Sequence, residues 1–414
     1  MRKILFWTHL TIGLTAAVVI LILCVTGVLL MYERQMLAWA DRGIRSTPLG
    51  ERMAPEALLR AFQEQTGRPA SSLTLRSDPT APAEVAAGAD VFYLDVYSGK
   101  LLGVPSPQLR KFFRTVVEWH RWLALEGPRR PVGKAITGAA NFIFLFIVLT
   151  GMYLWLPRRW SWQHVRAVLF FRRGLSGRAR DFNWHNVIGI WSALPLIAII
   201  LGALVISYPW ATDLVYRLAG DNPPPRPVAA SPGASAQKNF SSQRPARTVQ
   251  KTGPDGTASH PQESAAAAHQ RESDAGLAAG LDQACRLAEQ LVPAWESMSW
   301  RAAPGPRLSL TIAGSHRGRV DLRSTLTVDR ASGQVVQHET FDRLTRGRQW
   351  RLWLRFIHTG EALGFAGQTI AGVVSAGAAV LVWTGLALTL RRFRAWRQRR
   401  KQSAPVEEAV SVSR

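Results

Sequence analysis

Four long stretches without Asp, Glu, Lys or Arg limit what this chain can fold into. They cover residues 8–32, 135–157, 182–212 and 362–390. A helix that crosses the hydrocarbon core of a bilayer needs about 20 predominantly apolar residues, so each stretch is long enough. The chain is 47% hydrophobic although it contains 51 Lys and Arg. This segregation of apolar from charged residues predicts a four-helix transmembrane bundle.

The first stretch also resembles a secretory signal peptide, because it follows Met1-Arg2-Lys3 and is followed by the small-residue sequence Ala38-Trp39-Ala40. Its apolar run is longer than a typical signal-peptide core, and Glu33 and Arg34 lie between that run and the cleavage-like sequence. We therefore expect an uncleaved first helix.

The charges beside the spans predict their orientation. Segment 158–181 contains seven arginines and the single acid Asp181, and the tail 391–414 begins with a dense basic run. Because short loops rich in Lys and Arg stay in the cytoplasm, both termini are expected on the cytoplasmic side of the membrane. The net charge of +23 then reflects topology. Nucleic acid is not an expected partner, because no recognition fold accompanies the basic tail.

Two segments between the spans are expected on the external side, and both predict the same order of elements. Each has a helix, then strands, and an Asp-x-x-Ser-Gly turn sequence at 95–99 or 329–333. The expected helices cover 54–66 and 277–291, and the expected strands cover 72–76, 91–96, 307–312 and 325–329, with a further strand after each turn at 101–103 and 334–336. We predict two α+β external domains of similar build.

The whole chain can then be divided into segments. They are spans within 1–32, 119–157, 182–212 and 351–390, external domains 33–118 and 213–350, and basic cytoplasmic segments 158–181 and 391–414. Residues 221–275 are rich in Pro, Ala, Ser, Gln and Gly. Such a composition buries too little apolar surface to fold, so we expect a disordered insert there.

Four of the nine histidines occur at or just before a span. His9 and His185 begin spans one and three, and each is followed four residues later by glycine; His120 and His358 precede spans two and four. Ionisable side chains at such positions are costly to place and usually functional. Since the pattern repeats between the two halves of the chain, it indicates an internal duplication.

The predicted topology sorts these histidines into two pairs, His9 with His185 at the cytoplasmic face and His120 with His358 at the external face. Two imidazoles from different helices suit a bis-histidine b-type haem, whose iron takes one nitrogen from each side. Glycines near the histidines leave room for a flat ring; they are Gly13, Gly27, Gly151, Gly189, Gly202 and Gly385.

Two other interpretations of the histidines remain open. Single interfacial histidines often cap helix ends, but that role does not explain four in a repeated arrangement. A divalent metal is a weaker candidate than haem, because zinc usually takes three or four protein ligands and only two histidines converge at each face. We therefore predict two b-type haems. Covalent c-type attachment is excluded, because the chain has no Cys-x-x-Cys-His.

Several segments resemble the PepSY-associated transmembrane proteins. They are Trp7-Thr8-His9-Leu10, Trp119-His120-Arg121, Asn183-Trp184-His185-Asn186 and the two Ser-Gly turns, which are similar to PepSY-domain turns. The family includes haem-containing inner-membrane reductases of ferric siderophores, and other members are known only as iron-regulated membrane proteins. The resemblance implies that the external domains are PepSY-like and that the four histidines are axial haem ligands.

The predicted function is an inner-membrane, di-haem electron conduit that reduces periplasmic ferric siderophores or ferric chelates for iron uptake. The chain contains no Gly-x-Gly-x-x-Gly fingerprint, so a cytoplasmic flavin reductase or membrane quinol must donate the electron. The external cations Arg121, Arg129, Arg130 and Lys134 would attract an anionic substrate, contact haem propionates, or simply extend to the membrane interface.

A second hypothesis is a membrane-anchored PepSY binding or regulatory module without redox activity. It predicts a colourless protein and gives the paired histidines no role. A transporter is less favoured, because the spans contain no acidic residue and, apart from Pro195, no helix-breaking proline near the middle of the membrane.

Overall fold

The computed structural model describes residues 1–156, 161–225, 277–314 and 319–403. From residue 226 onward, the predicted insert at 221–275 lies outside the described residues. The chain forms two compact units. The first, called the membrane unit, comprises Met1–Met36, Gln108–Asn222 and Arg346–Arg414, and the second, called the sheet unit, comprises Leu37–Pro107 and Pro223–Thr345.

In the described part of the chain, the helices are α1 (Arg2–Leu30), α2 (Glu33–Ala40), α3 (Pro55–Thr66), α4 (Pro107–Trp122), α5 (Arg130–Trp155), α6 (Trp162–Leu169), α7 (Gly177–Ser207), α8 (Pro209–Leu218), α9 (Leu281–Leu291), α10 (Arg346–His358) and α11 (Gly364–Ser403). The strands are β1 (Ser72–Arg76), β2 (Ala83–Ala87), β3 (Asp90–Leu94), β4 (Leu101–Gly103), β5 (Trp295–Arg301), β6 (Arg307–Gly314), β7 (Arg323–Asp329) and β8 (Val335–Glu339).

Among the residues that the structure describes, four helical stretches are long and apolar enough to cross a membrane, as the sequence predicted. They are Arg2–Leu30, Gly127–Trp155, Gly177–Ser207 and Glu361–Arg400. Helix α1 packs against α5 and α11, and α7 packs against the same two helices, so the four form a bundle. Its middle is a purely apolar cluster that includes Ile20, Leu196, Ile200 and Ala378.

Neighbouring helices of this bundle are antiparallel. Arg2, at the start of α1, donates a hydrogen bond to the carbonyl of Tyr153 near the end of α5 (3.3 Å). At the same end, Asp181 near the start of α7 forms an ion pair with Arg391 of α11 (3.2 Å). We call this the N-terminal end of the bundle and the other the opposite end.

Two short helices precede spans two and four and contain the histidines that were predicted to come before those spans. Helix α4 ends at Trp122 and α10 ends at His358. Gly-Pro at 127–128 and the positive φ angles of Gly360 and Gly364 (71° and 59°) interrupt the helices. His120 and His358 therefore lie on separate helices and not on the spans.

The sheet unit corrects the prediction of two external domains. Its strands form one antiparallel sheet in the order β4-β3-β2-β1-β5-β6-β7-β8. The first strands of the two halves pair in the centre, with Leu73 opposite Trp300 and Thr74 opposite Ser299. Helices α3 and α9 bury one face of this sheet in a single apolar cluster. The two predicted domains therefore share one core.

The two halves of this unit repeat the same local hydrogen bonds. In each Asp-x-x-Ser-Gly turn the aspartate Oδ1 accepts two backbone N–H bonds, at 2.8 and 3.0 Å for Asp95 and at 3.1 and 2.9 Å for Asp329. Gly99 and Gly333 follow with φ of 67° and 68°, a conformation that favours glycine. These contacts explain why both turn sequences were recognisable.

The helix N-termini of this unit are capped across the two halves. The backbone N–H of Glu56 in α3 donates to Asp282 Oδ1 (2.8 Å), and the N–H of Asp282 in α9 donates to Glu56 Oε1 (3.3 Å). Both acids also lie in the first turn of their own helix, where negative charge is favourable. The exchange of caps ties the two halves together.

Candidate functional site

The first histidine pair lies at the N-terminal end of the bundle. His9 of α1 and His185 of α7 line one cavity of about 440 Å³, a volume within the range of cofactor and ligand pockets. Apolar side chains from all four spans surround it, and Gly13 and Gly189, one turn after the histidines, also line it. The cavity therefore combines an apolar lining with two imidazoles and enough volume for a small ligand.

Two threonines fix the orientation of these imidazoles. His9 Nδ1 lies 2.8 Å from Thr150 Oγ1, and His185 Nδ1 lies 2.9 Å from Thr384 Oγ1. Each threonine hydroxyl donates its only hydrogen to a carbonyl of its own helix, at 2.8 Å in both cases. With its hydrogen directed to the carbonyl, the hydroxyl oxygen accepts the Nδ1–H of the histidine in the tautomer protonated at Nδ1. Nε2 keeps its lone pair, which is the state that a metal ligand needs.

Glycines next to these threonines lie against the imidazoles. A Cβ atom on Gly151 would lie 3.4 Å from His9 Cε1, and one on Gly385 would lie 3.6 Å from His185 Cε1. Both distances are close to van der Waals contact. In each Thr-Gly pair, threonine binds the ring nitrogen and the glycine faces the same ring at an ordinary van der Waals distance.

The second pair lies at the opposite end of the bundle. His120 of α4 and His358 of α10 have ring centroids 6.3 Å apart and planes inclined by 42°. His120 Nδ1 lies 2.8 Å from Thr26 Oγ1, whose hydrogen goes to the carbonyl of Ile22 (2.6 Å). His358 Nδ1–H donates to the carbonyl of Ile199 (3.0 Å). Nε2 is again the nitrogen with a free lone pair.

The separation of these rings suits two ligands on opposite sides of one metal. Metal–imidazole bonds of about 2 Å on each side place ring centres roughly 6 Å apart. In the part of the chain that the structure describes, no group of three or more His, Cys, Asp or Glu could hold a metal ion. A spacing suited to two-histidine ligation is therefore present between His120 and His358, whereas His9 and His185 share the lining of one cavity.

Close packing at a glycine brings His358 to α7. A Cβ on Gly202 would lie 2.4 Å from the carbonyl oxygen of Leu354 and 2.8 Å from His358 Cβ, distances that no side chain tolerates. The backbones of α7 and α10 therefore touch at Gly202. The sequence pattern predicted that Gly202 leaves room for a cofactor ring. In the structure, Gly202 instead allows α7 and α10 to pack closely.

The external cations predicted beside span two have partners within the chain. The guanidinium groups of Arg121 and Arg130 lie 4.6 and 4.7 Å from the ring of Trp122, and Arg130 also pairs with Glu118 (3.7 Å). Arg129 and Lys134 are exposed. The aromatic contacts fit the interfacial interpretation of Arg121 and Arg130.

Sequence reasoning missed two sets of residues. The threonines were not predicted to bind the histidines, although the sequence contains Thr-Gly pairs at 26–27, 150–151 and 384–385. Arg178 and Arg392 also line the first cavity, but their charges were attributed to membrane topology alone. Their seven-residue spacing from His185 and Gly385 was the available signal.

The fold and these residues define an integral membrane protein with four candidate spans and two partly buried histidine pairs. The family model for the PepSY-associated TM region matches residues 6–392, nearly the whole chain. The chain belongs to this family. No curated protein matches it.

Proposed function

We propose that this protein is an inner-membrane electron conduit with two b-type haems, one held by His9 and His185 and one by His120 and His358. One observation carries the proposal. All four imidazoles have Nδ1 bonded to an oxygen of the chain, at 2.8 to 3.0 Å, so that each pair can offer two Nε2 lone pairs. Outer hydrogen bonds of this kind are typical of metal-ligating histidines.

The residues between the pairs suit a bundle that carries electrons. When bound, each haem would supply a one-electron carrier. Between the two pairs lies an apolar cluster that includes Ile20, Cys24, Leu196, Ile200 and Ala378. Apolar side chains at these positions disfavour the passage of an ion through the bundle.

The proposed direction of transfer is from the cytoplasm to the periplasm. The N-terminal end has Arg166, Arg172, Arg173, Arg178 and Arg180 close to the spans, which favours a cytoplasmic position. The donor in this proposal is a separate flavin reductase or membrane quinol. A quinol releases two protons and gives two electrons, one to each of two ferric ions.

The proposed acceptor is a ferric siderophore or another ferric chelate in the periplasm. Each Fe(III) takes one electron and becomes Fe(II). Because the attraction between an oxygen ligand and a cation falls with the charge of the cation, the chelate then releases its iron more readily for uptake. The family resemblance, rather than any residue set, suggests this substrate class.

The direct test is haem quantification in purified protein by pyridine haemochrome and by reduced-minus-oxidised spectra. We expect two low-spin b-type haems per chain in the wild type. Alanine at His9 or His185 should remove one haem, and alanine at His120 or His358 should remove the other. His338→Ala is the matched control, because His338 lies on β8 of the sheet unit.

The proposal fails if protein from haem-replete cells is colourless, or if the four bundle variants keep the haem content of the wild type. A colourless protein would favour the binding or regulatory module. For the redox function, dithionite-reduced protein should reduce a ferric chelate, and the His120→Ala variant should lose this activity while His338→Ala keeps it.

A further inference from the structure

Two arginines line the cavity of the first histidine pair. Arg178 of α7 and Arg392 of α11 border it together with His9 and His185. Arg178 lies seven residues before His185, and Arg392 lies seven residues after Gly385, the glycine beside the His185 ring. Seven residues correspond to two helical turns, or about 10 Å. Arg178 is therefore on the same face of α7 as His185, and Arg392 is on the same face of α11 as Gly385.

The carboxylate closest in sequence to Arg178 is already paired with other arginines. Asp181 forms ion pairs with Arg180 at 3.0 Å and with Arg391 at 3.2 Å. Among the described residues, neither Arg178 nor Arg392 forms an ion pair with a carboxylate. The cavity border is therefore a place where an anionic ligand gains two positive charges.

The position of Arg392 is fixed by aromatic rings. Its guanidinium lies 5.1 Å from the ring centre of Phe6 and 4.7 Å from that of Trp7. Such stacking restrains the side chain but leaves the N–H groups at its edge able to donate. Because a restrained arginine loses less conformational freedom on binding, it is well suited to recognise a carboxylate.

The corresponding arginine of the first half has a different role. Arg2 lies seven residues before His9, as Arg178 does before His185. Arg2, however, donates to the last carbonyls of α5, those of Tyr153 and Leu156, and lies over the Tyr153 ring. The sequence counterpart of Arg392, Arg158, lies outside the described residues. Each half of the chain thus contributes one histidine to the cavity lining. Among the described residues, both arginines of the lining come from the second half.

We infer that Arg178 and Arg392 bind the two carboxylates of the macrocycle held by His9 and His185 and direct its acidic edge towards α7 and α11. This inference rests on the proposed function. A haem between two equivalent histidines can rotate about the axis through its iron, since axial bonds do not select one orientation. Pairing of the carboxylates with arginines on one side of the cavity would select one orientation of the ring.

The test compares haem with its dimethyl ester, which has the same ring and iron but no carboxylates. Full-length protein from haem-limited cells would be reconstituted in detergent with each compound, and dissociation would be followed by transfer to a haem-scavenging protein. The His120→Ala substitution is included to remove the second haem, so that dissociation from the site of His9 and His185 is measured alone. The comparison is then repeated with His120 intact. Variants are Arg178→Gln, Arg392→Gln and the double variant.

The matched control is Arg394→Gln, which removes the same charge from an exposed residue of α11 that does not line the cavity. We expect protein with both arginines unaltered to retain haem at least about tenfold longer than it retains the dimethyl ester, because haem carboxylates can form charge-assisted hydrogen bonds. The double variant should lose this preference, and Arg394→Gln should keep it. The midpoint potential of this haem should also fall in the double variant, because removing nearby positive charge destabilises the reduced form.

Equal retention of haem and ester by the wild-type chain, or an unchanged preference in the double variant, would overturn the inference. The proposed function would still stand in either case, provided that His9→Ala abolishes binding of both compounds. If neither compound binds to the wild type through His9, the proposed function itself fails.

Discussion

The two halves of this chain contain the same order of elements but hold their second histidine differently. In the first half, the hydroxyl of Thr26 orients His120 (2.8 Å). The equivalent position in the second half, also seventeen residues after the span histidine, is Gly202. There the backbone carbonyl of Ile199 accepts the bond from His358.

The difference shows two ways to provide a hydrogen-bond acceptor for the Nδ1–H of a histidine inside the bundle. An imidazole N–H inside a bundle needs an acceptor, and a side-chain hydroxyl supplies one while the helices stay apart. Without a side chain, α7 and α10 approach until a backbone carbonyl is in reach. The first solution depends on one hydroxyl group, and the second depends on the space above one glycine.

The largest expected effect follows from filling that space. Gly202→Ala places a methyl group against the Leu354 carbonyl and His358, so α10 must move away from α7. We expect a loss of about 1–3 kcal/mol of stability, as for other overpacked cores, and selective loss of the haem at His120 and His358. Thermal unfolding and haem content would measure both.

Gly27→Ala is the matched control, since a Cβ there would lie 3.7 Å from His120 Cε1, an ordinary contact. We expect near-normal haem content from it. Equal effects of the two substitutions would mean that the halves do not differ as described.

The next effect concerns the threonines that the two halves share. Thr384→Val keeps the side-chain shape and removes the acceptor for His185 Nδ1–H, and Thr150→Val does the same for His9. Loss of such an outer partner typically weakens metal binding by about 10- to 100-fold. Both variants should weaken the haem at the N-terminal end by similar factors, as measured by haem transfer kinetics.

Thr384→Ser retains the hydroxyl and is expected to restore binding. Thr26→Val should affect only the other haem. A Thr384→Val protein with unchanged haem affinity would show that the hydroxyl does not set the imidazole's orientation.

The smallest effect is an acid dependence in the sheet unit. Burial acts to raise the pKa of Asp95, but N–H groups of Ser98, Tyr97 and Thr47 outweigh it and hold that pKa below the ordinary value. The backbone and hydroxyl bonds of Ser332 also lower the pKa of Asp329. A depressed carboxyl pKa contributes stability above the unfolded value of about 3.9. That contribution is lost as the pH falls through the folded value.

Asp95→Asn should therefore destabilise the sheet unit near neutral pH and reduce the steepness of its acid unfolding. Asp329→Asn should do so less, because Asp95 receives an additional bond from Thr47 (3.1 Å). Hydrogen exchange of the sheet peptides between about pH 2 and 6, corrected for intrinsic rates, would measure both. A steeper effect from Asp329→Asn would reverse the ranking.

Local patterns in the sequence were enough for several parts of the fold. The uncharged stretches predicted four spans, because a bilayer demands long apolar helices. The Asp-x-x-Ser-Gly sequences predicted both turns, because aspartate and glycine each satisfy a specific backbone requirement there. The strand at Ser72–Arg76 was predicted with the bounds that the structure shows.

Long-range pairing was not predictable in the same way. Strands β2 and β5 were missed, since β5 mixes charged, polar and aromatic residues without a clear alternation. The joining of two domains into one sheet depends on the contact of β1 with β5, which lie more than two hundred residues apart. No local pattern encodes that contact.

The candidate site was predicted in part. The histidine pairs came from topology and repetition, and the structure brings His120 close to His358 and places His9 and His185 on one cavity. Which atom of each histidine is free could not be predicted, because it depends on the rotation of Thr26, Thr150 and Thr384 on their helices. The membrane orientation and the substrate stay predictions.

The exchange of caps between α3 and α9 and the pairing of β1 with β5 make the two halves of the sheet unit depend on each other. The hydroxyls of Thr74 and Ser299 meet at 3.1 Å near the centre of that pairing. A chain of half this length with the same elements would leave β1 as an open edge and α3 uncapped. It would satisfy both by associating with a second copy about a twofold axis. The centre of the sheet unit thus has the construction of a homodimer interface enclosed within one polypeptide.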